Sequence, residues 1–379
     1  MDNNPQTTDS DAAPQVGMKR RSHLAGRLVI GLALALAAAA GTHALAWRWT
    51  TRRLEAEFTL AIEQHRALGW TIRHNAPVRG GWPFSAQLRV PSLVLTYDGA
   101  DLPGGLSWSI ERLVLDLSPL HPRTLRLRAE GQQDLRLAGL PGVPFTTDRC
   151  VLSVVLETGI PPRDFQLEAD NLRAGIPVAP GNAALKITHL HGHAETRPAA
   201  AQGEPVLSFT ADFGRILLPQ PPATTWALGR TITNLSIDAI LNGPWPRATP
   251  QASTSLPQRV ASWRDGGGSL EVRQLTAIWG PLEVGASATL ALDEHMQPMG
   301  AANAKILGQA ETLDALAAAR VITSGTASTA KVLLGLMAHA PEGGGPSTVE
   351  VPLTLQQRSL NMGRIPLARL PELIWPTEP

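Results

Sequence analysis

The 379-residue chain contains one cysteine, Cys150, and a lone thiol excludes both an intramolecular disulfide framework and any multi-cysteine metal site. It stands in "CVLSVVL", where a buried thiol is expected. Scarce cysteine does not argue against an oxidising compartment, because a chain this long can build a core that needs no covalent staple. Aromatic residues make up only 4%, and most of them are tryptophan. Lysine is nearly absent: Lys19, Lys186, Lys305 and Lys331 stand among 33 basic residues. The formal net charge of +1 supplies no field to gather nucleic acid or an acidic substrate. Catalytic signatures are missing too. There is no G-x-S-x-G, no P-loop and no C-x-x-C, and Gly343-Gly344-Gly345 runs into Pro-Ser and reads as a loop. The expectation is a protein that is not an enzyme and carries no cofactor.

What the chain does have begins with one long apolar run. Residues 1–22 are polar and aperiodic and read as a disordered tail. Lys19, Arg20, Arg21 and Arg27 then precede Leu28 to Trp47, twenty residues without formal charge. As a helix that run is about 30 Å long, enough to cross a bilayer, so 23–47 reads as a transmembrane anchor. The leading basic residues place the N-terminus in the cytoplasm, and Trp47 and Trp49 suit the far interface. Ala44-Leu45-Ala46 also resembles a signal-peptide cleavage site. Against cleavage, the helical pattern continues through Leu54, Phe58, Ala61, Ile62, His65 and Leu68 and stops at Gly69. Residues 48–68 therefore read as a membrane-proximal helix.

From residue 69 to 379 strand-period runs dominate. Leu88 and Val90 alternate, then Leu93, Leu95 and Tyr97 follow on the shifted phase after Pro91. A second shift falls near 111–113, between Ile110 and Leu113. Such shifts mark bulges or bends. The alternation continues through Phe165 and Leu167, Phe209 and Phe213, Leu235 and Ile237, Leu282 and Val284, to Val349–Leu355. One apolar and one wet face per strand implies an antiparallel sheet. About fifteen strands at ~4.8 Å spacing would extend roughly 70 Å. The fold class expected is mainly β: a transmembrane helix followed by a large curved, mostly antiparallel sheet. A small helical insertion at 310–340 carries apolar stripes at Leu313, Leu316, Ala317 and Val321 and at Val332, Leu333, Leu336 and Met337, which are expected to lie on the sheet. The Pro-rich stretch 242–258 divides two lobes or forms one long loop.

One cluster has metal-ligand spacing. His189, His191 and His193 in "THLHGHAE" alternate on a strand ~6.6 Å apart, so two of them on one face could grip zinc or copper. Three solvated histidines on the wet face account for the same pattern, and the expectation is no metal. The carboxylates Asp98, Glu111, Asp116, Glu130 and Asp134 mostly sit beside turns and form no readable acid–base pair.

Taken in order, the basic anchor, "VRGGWPFSAQLRV", "LEVRQLTAIWGPLEVGASATLALDEHMQPMGAANAKILG" and "VEVPLTLQQRSLNMGRIPLARLPEL" resemble the domain-of-unknown-function 2125 family of bacterial envelope proteins. The resemblance covers about residues 24 to 375. It implies a Gram-negative envelope protein: a single-pass inner-membrane anchor with the bulk in the periplasm and no assigned catalytic residues. More distantly the plan is similar to AsmA-like envelope proteins, which are β-rich, grooved and linked to phospholipid movement, a fold-level analogy. The first functional reading is therefore lipid handling or lipid sensing in envelope maintenance. Leu88, Leu93 and Leu95, nearest the anchor, are its lipid-facing candidates. The partners expected are the inner membrane, with phospholipid or another envelope protein, and no nucleic acid. The alternative is a structural or assembly factor binding another envelope protein through its sheet. A metal-dependent hydrolase resting on His189, His191 and His193 comes last.

Overall fold

A computed structural model describes residues 21–99, 105–137, 140–157, 162–177, 182–220, 226–246, 256–338, 347–363, 365–373 and 375. The tail at 1–20 and the Gly343–Gly345 loop lie outside the described residues. The chain opens with one unbroken helix, α1 (Arg21–Ala67), which ends at Gly69, whose φ of 90° is open to glycine at no steric cost. There follow β1 (Trp70–Arg73), β2 (Val78–Gly80), β3 (Ala86–Tyr97), β4 (Leu106–Leu117), β5 (Thr124–Leu137), β6 (Val143–Thr146), β7 (Arg149–Val155), β8 (Asp164–Pro177), β9 (Asn182–Thr196), β10 (Pro205–Phe213), β11 (Ile216–Leu217) and β12 (Thr231–Asn242). After α2 (Leu256–Asp265) come β13 (Ser269–Trp279), β14 (Leu282–Leu292) and β15 (Pro298–Leu307), then α3 (Gln309–Ala318), α4 (Ser324–Met337), β16 (Val349–Gln356), β17 (Ser359–Met362) and β18 (Ile365–Arg369).

All eighteen strands belong to one sheet, and every pairing among them is antiparallel. Chain neighbours pair throughout, so the topology is a meander. β1 and β2 both pair with β3, β6 and β7 both lie between β5 and β8, and β10 and β11 both lie between β9 and β12. Each of these three couples fills one position, so the eighteen segments make fifteen ribbons, about 70 Å across if flat. The stretch after Asn242 does not divide the sheet, because β12 pairs directly with β13 along most of its length. It carries α2, a helix that the periodicity did not announce: "LPQRVASWRD" has few apolar residues and follows a Pro-rich run.

The phase shifts in the sequence are real breaks. Ser92 (φ 52°) separates Val90 from Leu93, Asn171 (φ 51°) separates Ala169 from Leu172, and Asn234 (φ 52°) separates Ile232 from Leu235. The β4–β5 register jumps by one between Ile110 and Arg112. These breaks form a crease across neighbouring strands. Ser92 is level with Glu111, whose Oε2 accepts from the Gln132 backbone N–H at 3.0 Å. Further along, the Arg215 N–H donates to Thr188 Oγ1 at 2.9 Å. Side chains thus replace ladder bonds where pairing stops. Because side chains alternate with period two, the one-residue shift lets apolar residues return to the same face beyond the crease.

That face points toward α1, and it is called inner here. Leu54 and Ile62 of α1, 9% and 5% exposed, form one core with Ile72, Leu88, Val90, Leu93, Ile110 and Leu115. Burial of each such side chain stabilises by roughly 1.5–3 kcal/mol. Phe58 joins the same core, whereas His65 and Leu68 stay exposed. The sheet-facing stripe of α1 runs through Trp47, Thr51, Leu54, Phe58 and Ile62, the spacing of one helix face. The helix itself runs unbroken through the Ala44-Leu45-Ala46 stretch that precedes this stripe. We predict that membrane-extracted protein begins upstream of Leu28 on N-terminal sequencing. Trp47 as first residue would show a cleaved signal peptide.

Candidate functional site

The inner face is apolar along the meander, and among the described residues the helices that lie along it are at its two ends. At the first end α1 packs on β1 and β3. At the other, α3 touches β14 and α4 touches β16, where Val349 and Val351 are 0% and 4% exposed. Here α4 departs from the sequence reading. Its buried side carries Ala327, while Val332, Leu333 and Leu336 are exposed. On the surface, Lys331 Nζ pairs with Asp314 of α3, while the stripe is turned outward.

Between these ends, from β8 to β13, the one described helix is α2, which seats its buried Trp263 at the end of β12, with Nε1 donating to the Asn242 carbonyl at 2.8 Å; no described helix lies along these strands. The registers place Phe165, Leu167, Leu190, Phe209, Phe213 and Ile237 together on the inner face. Each is half-buried, with no described helix laid along it. Their shielding comes from neighbours within the sheet. The smaller Ala169, Ala211 and Ala239 lie between them, fully buried. An apolar surface with a water-accessible side and no covering element can take an apolar occupant.

The earliest candidates lie elsewhere. Leu88 and Leu93, 0% and 3% exposed, are core residues beneath α1, and Leu95 is half-buried against the same core. Leu88 and Leu93, expected to face lipid, instead lie beneath Leu54 and Ile62 of α1, which packs on the first strands of the sheet. Of the residues that remain open, Leu190 sits in the very segment read for its histidines. Its signal was the apolar partner of each His in "HLHGH", but only the position of α1 shows which part of the face stays uncovered.

His189, His191 and His193 share the outer face of β9, as alternation requires, but each faces an acidic or polar neighbour and not another histidine. Asp170 lies opposite His189, and Glu168 and Asp212 lie on either side of His191. His193 Nε2 is 3.4 Å from Asp164 Oδ2. Arg149 in turn holds Glu168 at 2.6 Å. Among the described residues no three of His, Cys, Asp and Glu come together as a metal site. His191→Ala is therefore expected to leave metal content unchanged and to shift stability by no more than ~0.5 kcal/mol, read by elemental analysis and thermal melting. A stoichiometric metal lost with that substitution would contradict this. Cys150 lies half-buried against the core under α1, and burial pushes its thiol pKa up. That disfavours the thiolate which a nucleophile or a metal ligand requires.

One helix among those described, within Arg27–Ala67, is long and apolar enough to cross a membrane. No curated protein and no solved structure matches the chain. The family model described as an uncharacterised protein conserved in bacteria (DUF2125) matches residues 47–371, from the last residue of the apolar run past the last strand of the sheet. With the second half of α1 and all eighteen strands inside one match, the chain belongs to the DUF2125 family.

Proposed function

We propose that the protein is a non-enzymatic, single-pass membrane protein of the cell envelope that handles or senses lipid on the uncovered inner face of β8–β13. In this reading α1 crosses the inner membrane with its N-terminus in the cytoplasm, and the sheet stands in the periplasm. The observation that carries the reading is the gap in cover between α1 and the α3–α4 pair, where large apolar side chains remain half-open. Acyl chains laid there gain about 0.8 kcal/mol per buried methylene. A phospholipid with even ten buried methylenes would be held by roughly 8 kcal/mol before ordering costs. The test is native mass spectrometry of the full chain extracted without detergent. Phospholipid bound in stoichiometric amounts supports the reading, and none bound overturns it.

A second reading keeps one specific observation: the outward stripe Val332, Leu333 and Leu336 on α4, 65%, 48% and 81% exposed. It suits an assembly factor that docks another envelope protein. A protein partner in place of lipid in the same spectra would favour it.

A further inference from the structure

From the sheet's attachment to α1, we infer that two turns of the sheet, 81–85 and 118–123, are immersed in the headgroup–acyl boundary of the bilayer that α1 crosses, with Phe84 and Leu120 as the inserted side chains. His43 Nε2 donates to the Pro83 carbonyl at 2.7 Å, and Trp47 Nε1 donates to the Ser85 carbonyl at 2.9 Å. The Trp82 ring lies 5.0 Å from His43 and 5.8 Å from Trp47. The second turn meets the same helix segment: Leu117, Pro119 and Pro122 line a crevice with His43, Ala46 and Trp47. Both turns are therefore fixed at the level of residues 43–47.

Those residues belong to the apolar run itself. If the span stopped below them, at residue 42, it would hold fifteen residues from Leu28 and measure about 22 Å, against the ~30 Å of hydrocarbon to be crossed. The run through Trp47 gives the required length. Either the bilayer thins by about a quarter, or the turns enter its boundary. Their composition decides between these. The side chains they present to the surroundings include Trp82, Phe84 and Leu120, 48%, 83% and 86% exposed. In water these are isolated apolar tips without cover; at the interface they are an aromatic belt extended from the helix onto the sheet. Charge follows in the right order. Arg48, Arg52 and Arg53, all exposed, come just beyond Trp47, at the level where lipid phosphates lie. Leu336, just as exposed, sits on α4 between β15 and β16, at the opposite ends of the strands, so exposure alone does not mark the membrane side.

The inference rests on α1 crossing the bilayer and not on lipid handling; immersion can hold while no lipid is carried. The test uses the full chain with Cys150→Ala, reconstituted in phosphatidylethanolamine–phosphatidylglycerol vesicles. Single cysteines replace Ala38, Phe84, Leu120 or Leu336 and carry a polarity-sensitive fluorophore. Far-UV circular dichroism confirms that each variant is folded. The expected result is blue-shifted emission at 38, 84 and 120, quenched by lipids with a nitroxide on the acyl chain and protected from iodide in water. The label at 336 is open to iodide. A label at 84 or 120 that behaves like 336, while 38 stays in lipid, overturns the immersion and leaves the span intact. A label at 38 open to iodide overturns both.

Discussion

Leu88→Asp should leave no folded domain. Leu88 is 0% exposed, in a core shared by Leu54 and Ile62 of α1 and by Leu115 of β4. The ladder places Leu115 directly beside it and Leu127 one strand further on the same face. A carboxylate there has no cationic or hydrogen-bonding partner in a surround of aliphatic side chains. Burying it costs several kcal/mol even if it takes up a proton, on top of the lost packing. Total stability of a domain is only ~5–15 kcal/mol. The milder Leu88→Ala should lose about 2–5 kcal/mol, which a thermal melt in detergent would show as a clear fall in Tm. A folded Leu88→Asp protein with an unchanged melt would mean that α1 does not lie on the sheet, and the account of the covered end would fail with it.

The contrast between Leu88 and Leu190 marks the limit of what the sequence made legible. Both stand in alternating runs, and alternation put both on the apolar face correctly, because a strand has no freedom in which side its residues point. The crease could be read too: a phase shift in an apolar pattern has to become an irregular residue, and it did so at Ser92. The helix α1 was visible to Gly69 through its stripe. What could not be read was the distance relationship. Leu54 and Ile62 carry no mark of which strands they will cover, and nothing in "LVLTY" differs in kind from "ITHLHG". Cover is a tertiary property. The same limit explains α4. Its stripe was correct as a helix pattern, but the helix buries its Ala327 side instead, and small residues carry little weight in a pattern search. The histidines could be read two ways from sequence, as ligands or as solvated side chains. Their spacing satisfies a metal geometry along one strand, but Glu168, Asp170 and Asp212 come from strands 20 or so residues away, and only the register brings them alongside.

Leu190→Asp should do the reverse of Leu88→Asp: the fold survives and the lipid is lost. Leu190 lies at the middle of β9 on the inner face, flanked by Ala169 of β8 and Phe213 of β10. It is half-buried with no helix over it. An aspartate here reaches water through the open side, so its charge is not stranded and the melt should move by no more than the ~1 kcal/mol typical of a partly exposed substitution. For an acyl chain the same change is severe. Contact with about two methylenes is lost, ~1.6 kcal/mol, and the chain must now lie against a hydrated carboxylate. Together these lower affinity by at least about tenfold. Quantifying phospholipid that co-purifies with the wild type, with Leu190→Asp and with Leu190→Met reads the effect, with methionine as the apolar control that should retain it. Two results would overturn the proposal in different ways. If Leu190→Asp unfolds as Leu88→Asp does, the face is a closed core and the assembly reading takes precedence. If it folds and keeps all its lipid, lipid binds elsewhere on the molecule, and the gap between α1 and α3–α4 does not hold it.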